Sequence, residues 1–187
     1  ESSNASMQMR IGFLLLFCLC ANAKGQQEIA YPYKTCFESA GKQYKISPGF
    51  LASVASVESS LNPSAVSSSN AVGLMQIKWP LTAAELGISS RDQLFDPCLN
   101  IHAGARYLNQ LEARFKSRML ALAAYHIGPT RVSAIEAIPK STLSYIEKIY
   151  QEEALLAHSS SLADLGSCQI AGLINLTVKT HHPKQRQ

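Results

Sequence analysis

The 187-residue sequence contains none of the short motifs that identify nucleotide-dependent or metal-dependent enzymes. It has no internal repeat, no phosphate-binding loop, no dinucleotide fingerprint and no zinc-ligand spacing. Four of its five histidines, His102, His158, His181 and His182, form no metal-ligand pattern. We therefore expect neither a metal nor a cofactor.

Charged residues are scarce and are not clustered in a way that favours a nucleic acid. They make up 16% of the chain, and the net charge of +4 is dispersed. A nucleic-acid-binding domain is expected to carry a clustered basic stripe instead. The mild positive charge suits an anionic polymer such as a cell wall, and the 47% of hydrophobic residues is typical of a globular chain.

The first 23 residues have the pattern of an exported protein's leader. Arg10 precedes an apolar run from Ile11 to Cys20, and Ala21-Asn22-Ala23 supplies the small residues that signal peptidase requires. The run is about half the length that spans a bilayer, so a signal peptide is favoured over a membrane helix and no stable membrane span is expected. We assign residues 1–23 to a vector-derived extension followed by a signal peptide, and we predict export.

Two of the five cysteines, Cys18 and Cys20, lie inside this leader. The other three would reach an oxidising compartment, where disulfides persist. Cys36 and Cys98 each lie near the start of a predicted helix, so we expect them to pair with each other. Cys168 is then the unpaired cysteine, in a segment with weak structural signals.

Residues 34 to 158 show helical spacing of apolar residues almost throughout and no alternating strand of any length. Ser47-Pro48 and Asp96-Pro97 each provide a cap followed by proline, which predicts a helix to about Ser59 and a long central helix. Thr82 and Glu85 form the pattern of a capping box for a short helix. Further helices are predicted over about 118–125, 129–137 and 141–157. The predicted fold is all-α, with one domain over 24–158 and an appended tail over 159–187.

Glu58 stands out among the carboxylates because it shares a helix face with apolar residues. It follows Val54 and Ala55 by four and three positions, which places it on their side of the predicted helix. An apolar environment disfavours the ionised carboxyl, raises its pKa and makes it a proton donor near neutral pH, as a glycosidic general acid requires. The alternative is that the helix frays after Val57 and leaves Glu58 solvated.

Four segments in a fixed order resemble the motifs of the soluble lytic transglycosylase family, whose fold is similar to that of goose-type lysozymes. They are Glu58-Ser59-Ser60-Leu61-Asn62-Pro63, Ala71-Val72-Gly73-Leu74-Met75-Gln76-Ile77, Ala123-Ala124-Tyr125-His126-Ile127-Gly128-Pro129, and Tyr145 in the last helix. The resemblance covers about residues 34–158. It implies a lysozyme-like helical domain that acts on peptidoglycan in the bacterial periplasm.

The resemblance implies that Glu58 is the sole catalytic acid and base. It also implies that a set of residues lines the glycan cleft and contacts the substrate: Ser59, Gly73, Leu74, Met75, Gln76, Tyr125, His126 and Tyr145. A plainer interpretation assigns Leu74, Met75 and Ile77 to the core and makes Tyr145 a half-buried packing residue. The placement of Cys36 and Cys98 is similar to that in small members encoded with secretion and conjugation systems, which implies an envelope-spanning machine as a second partner.

His126 departs from the family pattern Ala-Tyr-Asn, in which asparagine holds this position. Histidine is larger than asparagine and titrates near physiological pH. The departure therefore bears on the substrate contacts and on the pH optimum.

Glycosidases ordinarily use two carboxyl groups, and we find no second strong candidate. Asp96 is explained as a helix cap, Glu85 as a capping-box partner, and Asp92 and Glu112 as solvated charges. A lone carboxyl fits the chemistry that the resemblance implies, in which a 1,6-anhydro ring forms and no water is consumed. Two alternatives stay open: a lysozyme-type hydrolase in which Asp92 or another acid activates water, and a non-catalytic wall-binding assembly factor, which His126 favours.

Overall fold

The computed structural model describes residues 31–135 and 137–158; the predicted leader, the predicted tail and Cys168 lie outside them. In chain order its elements are α1 (Lys34–Tyr44), α2 (Pro48–Ser59), β1 (Ala71–Val72), β2 (Ile77–Lys78), α3 (Leu81–Glu85), a 3-10 helix (Arg91–Phe95), α4 (Pro97–Phe115), α5 (Arg118–Ile127), α6 (Pro129–Ala134) and α7 (140–158). The all-α prediction is confirmed. The described sheet is one short antiparallel hairpin, in which Val72 pairs with Ile77.

The cap-plus-proline signals give the two helices that they predict. The Ser47 hydroxyl accepts a hydrogen bond from the Phe50 amide at the start of α2, and Pro48 occupies the first turn. The Asp96 carboxylate accepts one from the Leu99 amide at 2.7 Å and opens α4. In both cases the side chain satisfies an amide that the helix itself leaves free.

Two predictions about helix ends are wrong. Thr82 does not cap α3, because this helix already begins at Leu81, after Pro80, and has no side-chain cap. The capping box instead lies at the start of the 3-10 helix, between Ser90 and Gln93. The short α6 ends at Ala134, three residues before the predicted end, because Ile135 adopts an extended backbone.

The central helix α4 packs against both α1 and α5, and α1 also packs against α2. The largest fully buried side chains between these helices are Phe37, Phe50, Leu51, Ile101, Leu108 and Leu122. A disulfide joins Cys36 of α1 to Cys98 of α4. In the described part of the chain, no helix is long and apolar enough to cross a membrane.

Candidate active site

Glu58 lies in the last turn of α2, and this helix continues through Ser59. The alternative of a helix that frays after Val57 is therefore wrong. Ser60 then adopts a left-handed backbone with φ 54°, and its amide donates to carbonyls of the final turn. The Glu58 side chain is only partly exposed.

Helix α7 supplies the hydrogen-bond partner of Glu58. The Tyr145 hydroxyl donates to Oε1 of Glu58 at 2.6 Å, and the Tyr145 side chain is buried. Farther along the same two helices, the Ser56 hydroxyl donates to Glu152 at 3.1 Å. Two polar contacts therefore hold α7 against α2, with the carboxyl of Glu58 at one of them.

Burial dominates the electrostatics of this carboxyl. It raises the pKa of Glu58 to about 7, and the hydrogen bond from Tyr145 opposes the rise only in part. Burial also raises the pKa of Tyr145 and of Tyr125 well above the ordinary value of a tyrosine, and the nearby Glu58 charge adds to both shifts. Both phenols therefore stay protonated, while Glu58 can exchange a proton near neutral pH.

The hairpin segment beside Glu58 is held through its backbone. The Ser59 hydroxyl donates to the Leu74 carbonyl at 2.8 Å, and the Tyr125 hydroxyl donates to the Met75 carbonyl at 2.6 Å. The side chains of Leu74 and Met75 are fully buried in the core. These two side chains therefore belong to the core, as the plainer interpretation expects. That Leu74 and Met75 contact the substrate stays a prediction, which concerns their main chain.

Asn100, a buried residue of α4, completes this support. Its side-chain oxygen accepts from the Met75 amide at 2.7 Å, while its nitrogen donates to the carbonyls of Val72 and Leu94. Gly73 has φ +78°, and a Cβ there would collide with the Asn100 side chain and the Leu94 carbonyl. Glycine is required at this position both by the backbone and by the space.

An open cleft of about 470 Å³ lies in front of Glu58. Its described lining is Glu58, Ser67, Ser69, Ala71, Gln76, Ile77, Lys78, Thr82, Tyr107, Tyr125, His126, Ile127, Gly128 and Arg131. Of the predicted contact residues, Gln76, Tyr125 and His126 line the cleft. Ser59, Gly73 and Tyr145 lie behind this lining and position other groups. Glu58 is the only carboxyl among the lining residues, and Lys78 and Arg131 are its only lysine and arginine.

His126 covers the partner of Glu58. Its imidazole stacks on the Tyr145 ring, with centroids 4.2 Å apart and planes 14° from parallel. Within the described ranges, no group of three histidine, cysteine, aspartate or glutamate side chains is placed to hold a metal ion.

Sequence reasoning did not assign roles to Asn100, Lys78, Tyr107 or Arg131. The role of Asn100 could have been predicted, because it lies beside Ile101 on the buried side of α4. A buried polar side chain needs hydrogen-bond partners. Thr82 was interpreted as a cap and instead lines the cleft. The positions of Lys78 and Arg131 depend on how the hairpin and α6 pack, which no local pattern predicts.

A small helical domain with a buried carboxyl above an open cleft defines a lysozyme-like architecture. Residues 35–146 match the Transglycosylase SLT domain, and the chain belongs to this family. The resemblance inferred from the four motifs is thereby confirmed.

Three similar proteins show the extent of the relation. A transglycosylase of enterobacteria phage PRD1 is 29% identical over 143 residues, which are 74% of this chain and 52% of the phage protein. Protein IpgF of Shigella flexneri is 30% identical over 131 residues, which are 67% of this chain and 83% of that protein. The 70 kDa soluble lytic transglycosylase of Escherichia coli has a TM-score of 0.60 and 30% identity, over 67% of this chain and 24% of that chain. The chain thus spans about half of the phage relative.

Proposed function

We propose that this protein is a peptidoglycan lytic transglycosylase, which cleaves the β-1,4 bond between N-acetylmuramic acid and N-acetylglucosamine and leaves 1,6-anhydro-muramyl ends. The observation that carries the proposal is the single cleft carboxyl, Glu58, buried enough to titrate near pH 7 and hydrogen-bonded by Tyr145. Membership of the SLT domain family supports it.

In the first step, protonated Glu58 donates its proton to the glycosidic oxygen as the bond to the muramyl C1 breaks. The pKa near 7 means that a large fraction of Glu58 carries this proton at neutral pH. The N-acetyl group of the substrate attacks C1 from the opposite face, so the protein needs no carboxylate nucleophile. Tyr145 then stabilises the newly formed carboxylate through its hydrogen bond to Oε1.

In the second step, the Glu58 carboxylate accepts the proton of the muramyl 6-hydroxyl. The hydroxyl oxygen closes on C1, displaces the N-acetyl oxygen and forms the 1,6-anhydro ring. Glu58 regains its proton and water is not consumed. One carboxyl that changes roles is therefore sufficient, in contrast to the pair that most glycosidases use.

A hydrolase that uses Asp92 has less support. Glycosidases that activate water place their two carboxyls about 6.5–9.5 Å apart across the bond. Asp92 is exposed on the 3-10 helix and is not among the cleft-lining residues. Among the described lining residues, Glu58 has no carboxyl partner for that chemistry.

The remaining cleft groups are proposed to bind the glycan strand. Gln76, Tyr125 and His126 line the wall next to Glu58, and Lys78 and Arg131 add two exposed cations. Peptide stems on the muramyl sugars carry carboxylates, and the positive charges of Lys78 and Arg131 would attract them. This charge distribution supports a peptide-bearing wall polymer as the substrate.

We also propose that the protein acts in the periplasm after export and opens the wall locally for a secretion, conjugation or pilus apparatus. The leader-like residues 1–23 support export. The similarity to protein IpgF over most of that protein's length supports the comparison with small specialised members.

Purified protein incubated with sacculi tests the activity, with the soluble products analysed by mass spectrometry. The expected muropeptides end in 1,6-anhydro-muramic acid and weigh one water less than hydrolysis products. Products with reducing ends alone would make the protein a hydrolase. If a known transglycosylase releases muropeptides in a parallel reaction and this protein releases none, a non-catalytic assembly factor is favoured.

A further inference from the structure

Two neighbouring residues at the end of α5 reach different parts of the site. Consecutive side chains of a helix point about 100° apart. Tyr125 bonds the Met75 carbonyl of the hairpin, whereas His126 turns to α7 and stacks on Tyr145. His126 is therefore connected to Glu58 through one intervening ring.

The stack places the imidazole between Tyr145 and the cleft. His126 is exposed and lines the cleft, whereas Tyr145 is only 7% exposed and does not. The Tyr145 hydroxyl at the far end of the covered ring donates to Glu58. Removing the imidazole would open one face of this ring, and with it the Tyr145 side of the carboxyl, to cleft water.

We propose that His126 is a positioning residue, which covers one face of the Tyr145 ring and shields the Tyr145 side of the Tyr145–Glu58 pair from cleft water. The inference rests on the proposed function, in which Glu58 is the proton donor. It assigns to the histidine a role that differs from contact with the sugar, because it acts through Tyr145 whether or not a glycan is bound.

The shield determines the alkaline limit of activity. Burial is the main cause that raises the pKa of Glu58, so water admitted beside Tyr145 would stabilise the carboxylate and lower this pKa. Burial also lowers the pKa of His126, which keeps its imidazole neutral where Glu58 titrates. A neutral ring is needed, since an imidazolium would favour the ionised carboxyl.

Other titratable or charged groups face the same space from each neighbouring element. They are Lys78 on β2, Tyr107 on α4, Tyr125 on α5, Arg131 on α6 and Tyr145 on α7. All of these side chains are retained when only position 126 is changed. A difference between two variants at this position therefore reports the ring itself.

His126→Ala and His126→Phe form the matched pair. Phenylalanine keeps a flat ring on Tyr145 but cannot titrate or hydrogen-bond, whereas alanine removes the ring. In the pH profile of kcat/KM, the alkaline limb of wild type and of His126→Phe is expected near pH 7. The limb of His126→Ala is expected about one pH unit lower, which is a tenfold loss on the alkaline side.

A role in sugar contact alone predicts a different result. Both variants would then raise KM by a similar factor at every pH, and the limb would not move. An unchanged limb in His126→Ala, or an equal shift in both variants, would overturn the proposal.

A measurement without substrate separates this inference from the proposed function. The ¹³C signal of the Glu58 carboxyl, assigned by its loss in Glu58→Gln, is expected to titrate near pH 7 in wild type and His126→Phe, and lower in His126→Ala. This pattern in a protein without turnover would support the shield and refute the transglycosylase. If the protein turns over peptidoglycan but the Glu58 signal titrates with the same midpoint in wild type, His126→Phe and His126→Ala, the transglycosylase is supported and the shield is refuted.

Discussion

Replacing Glu58 with glutamine should change how the stability of this protein depends on pH. The pKa of Glu58 is raised from an ordinary 4.5 to about 7, so the folded protein holds this proton more tightly than the unfolded chain. A raised pKa contributes stability that is complete below pH 4.5 and is lost as pH rises through 7. Glutamine stays neutral at every pH and its oxygen still accepts from Tyr145, so the variant should not undergo this loss.

The magnitude follows from the size of the shift. A difference of roughly 2.5 pKa units corresponds to about 3 kcal/mol of unfolding free energy, at about 1.4 kcal/mol for each unit. For a domain of this size that is a difference of about 10 °C in Tm. At pH 4 the two proteins should melt together, and at pH 8 Glu58→Gln should melt higher by about this amount.

Thermal melts of both proteins from pH 4 to pH 8 provide the test. Groups that titrate in both proteins cancel in the difference between the two curves. The same variant should lose at least a hundredfold in release of muropeptides from sacculi, since general acid catalysis contributes about that much or more. A glutamine variant that is less stable than wild type at pH 8 would mean that Glu58 is held ionised, and an active variant would remove Glu58 from the mechanism.

Three further substitutions test neighbouring parts of the site. Tyr145→Phe removes the hydrogen bond that lowers the pKa of Glu58, so the alkaline limb of kcat/KM should move up; a downward move would contradict the assigned donor. Asn100→Ala leaves three buried backbone groups without partners and should cost about 3 kcal/mol or more in denaturant unfolding; a loss below about 1 kcal/mol would show that water replaces the amide. Cys36→Ser with Cys98→Ser opens a disulfide that spans 62 residues and should lower the unfolding free energy by about 4 kcal/mol; a non-reducing peptide map that pairs either cysteine with Cys168 would refute the pairing.

The sequence was sufficient for the parts of this fold that depend on local chemistry. Ser47-Pro48 and Asp96-Pro97 each combine a capping side chain with a fixed proline φ, and α2 and α4 begin there. The inward face of α2 followed from spacing alone, because residues three and four positions apart share a side of a helix. Glu58 could therefore be placed on the buried face before any tertiary contact was known.

Parts of the site that depend on packing between distant segments were not predictable in the same way. The pattern at Thr82 and Glu85 is a valid capping box locally, but Pro80 starts the helix earlier and the threonine faces the cleft. Leu74 and Met75 belong to a motif that the resemblance assigns to the cleft wall, but the motif does not specify which of its atoms face the cleft. Only the hydrogen bonds from Ser59 and Tyr125 to the hairpin carbonyls show that the backbone serves the site.

The stability that the fold loses when Glu58 ionises is similar in size to the stability that the disulfide contributes. The two contributions come from different residues. As pH rises from 4.5 through 7, the fold loses the roughly 3 kcal/mol that neutral Glu58 contributes. Loss of the Cys36–Cys98 link removes about 4 kcal/mol more. Contributions from separate sites add when they share no partners, which gives about 7 kcal/mol, within the whole stability of a typical domain. The reduced protein should therefore stay folded at pH 4.5 and approach unfolding at pH 8, whereas reduced Glu58→Gln should remain folded at both. Circular dichroism melts with and without reductant at the two pH values would show this. A reduced wild type that melts as high at pH 8 as at pH 4.5, or a reduced Glu58→Gln that melts no higher than reduced wild type at pH 8, would refute it.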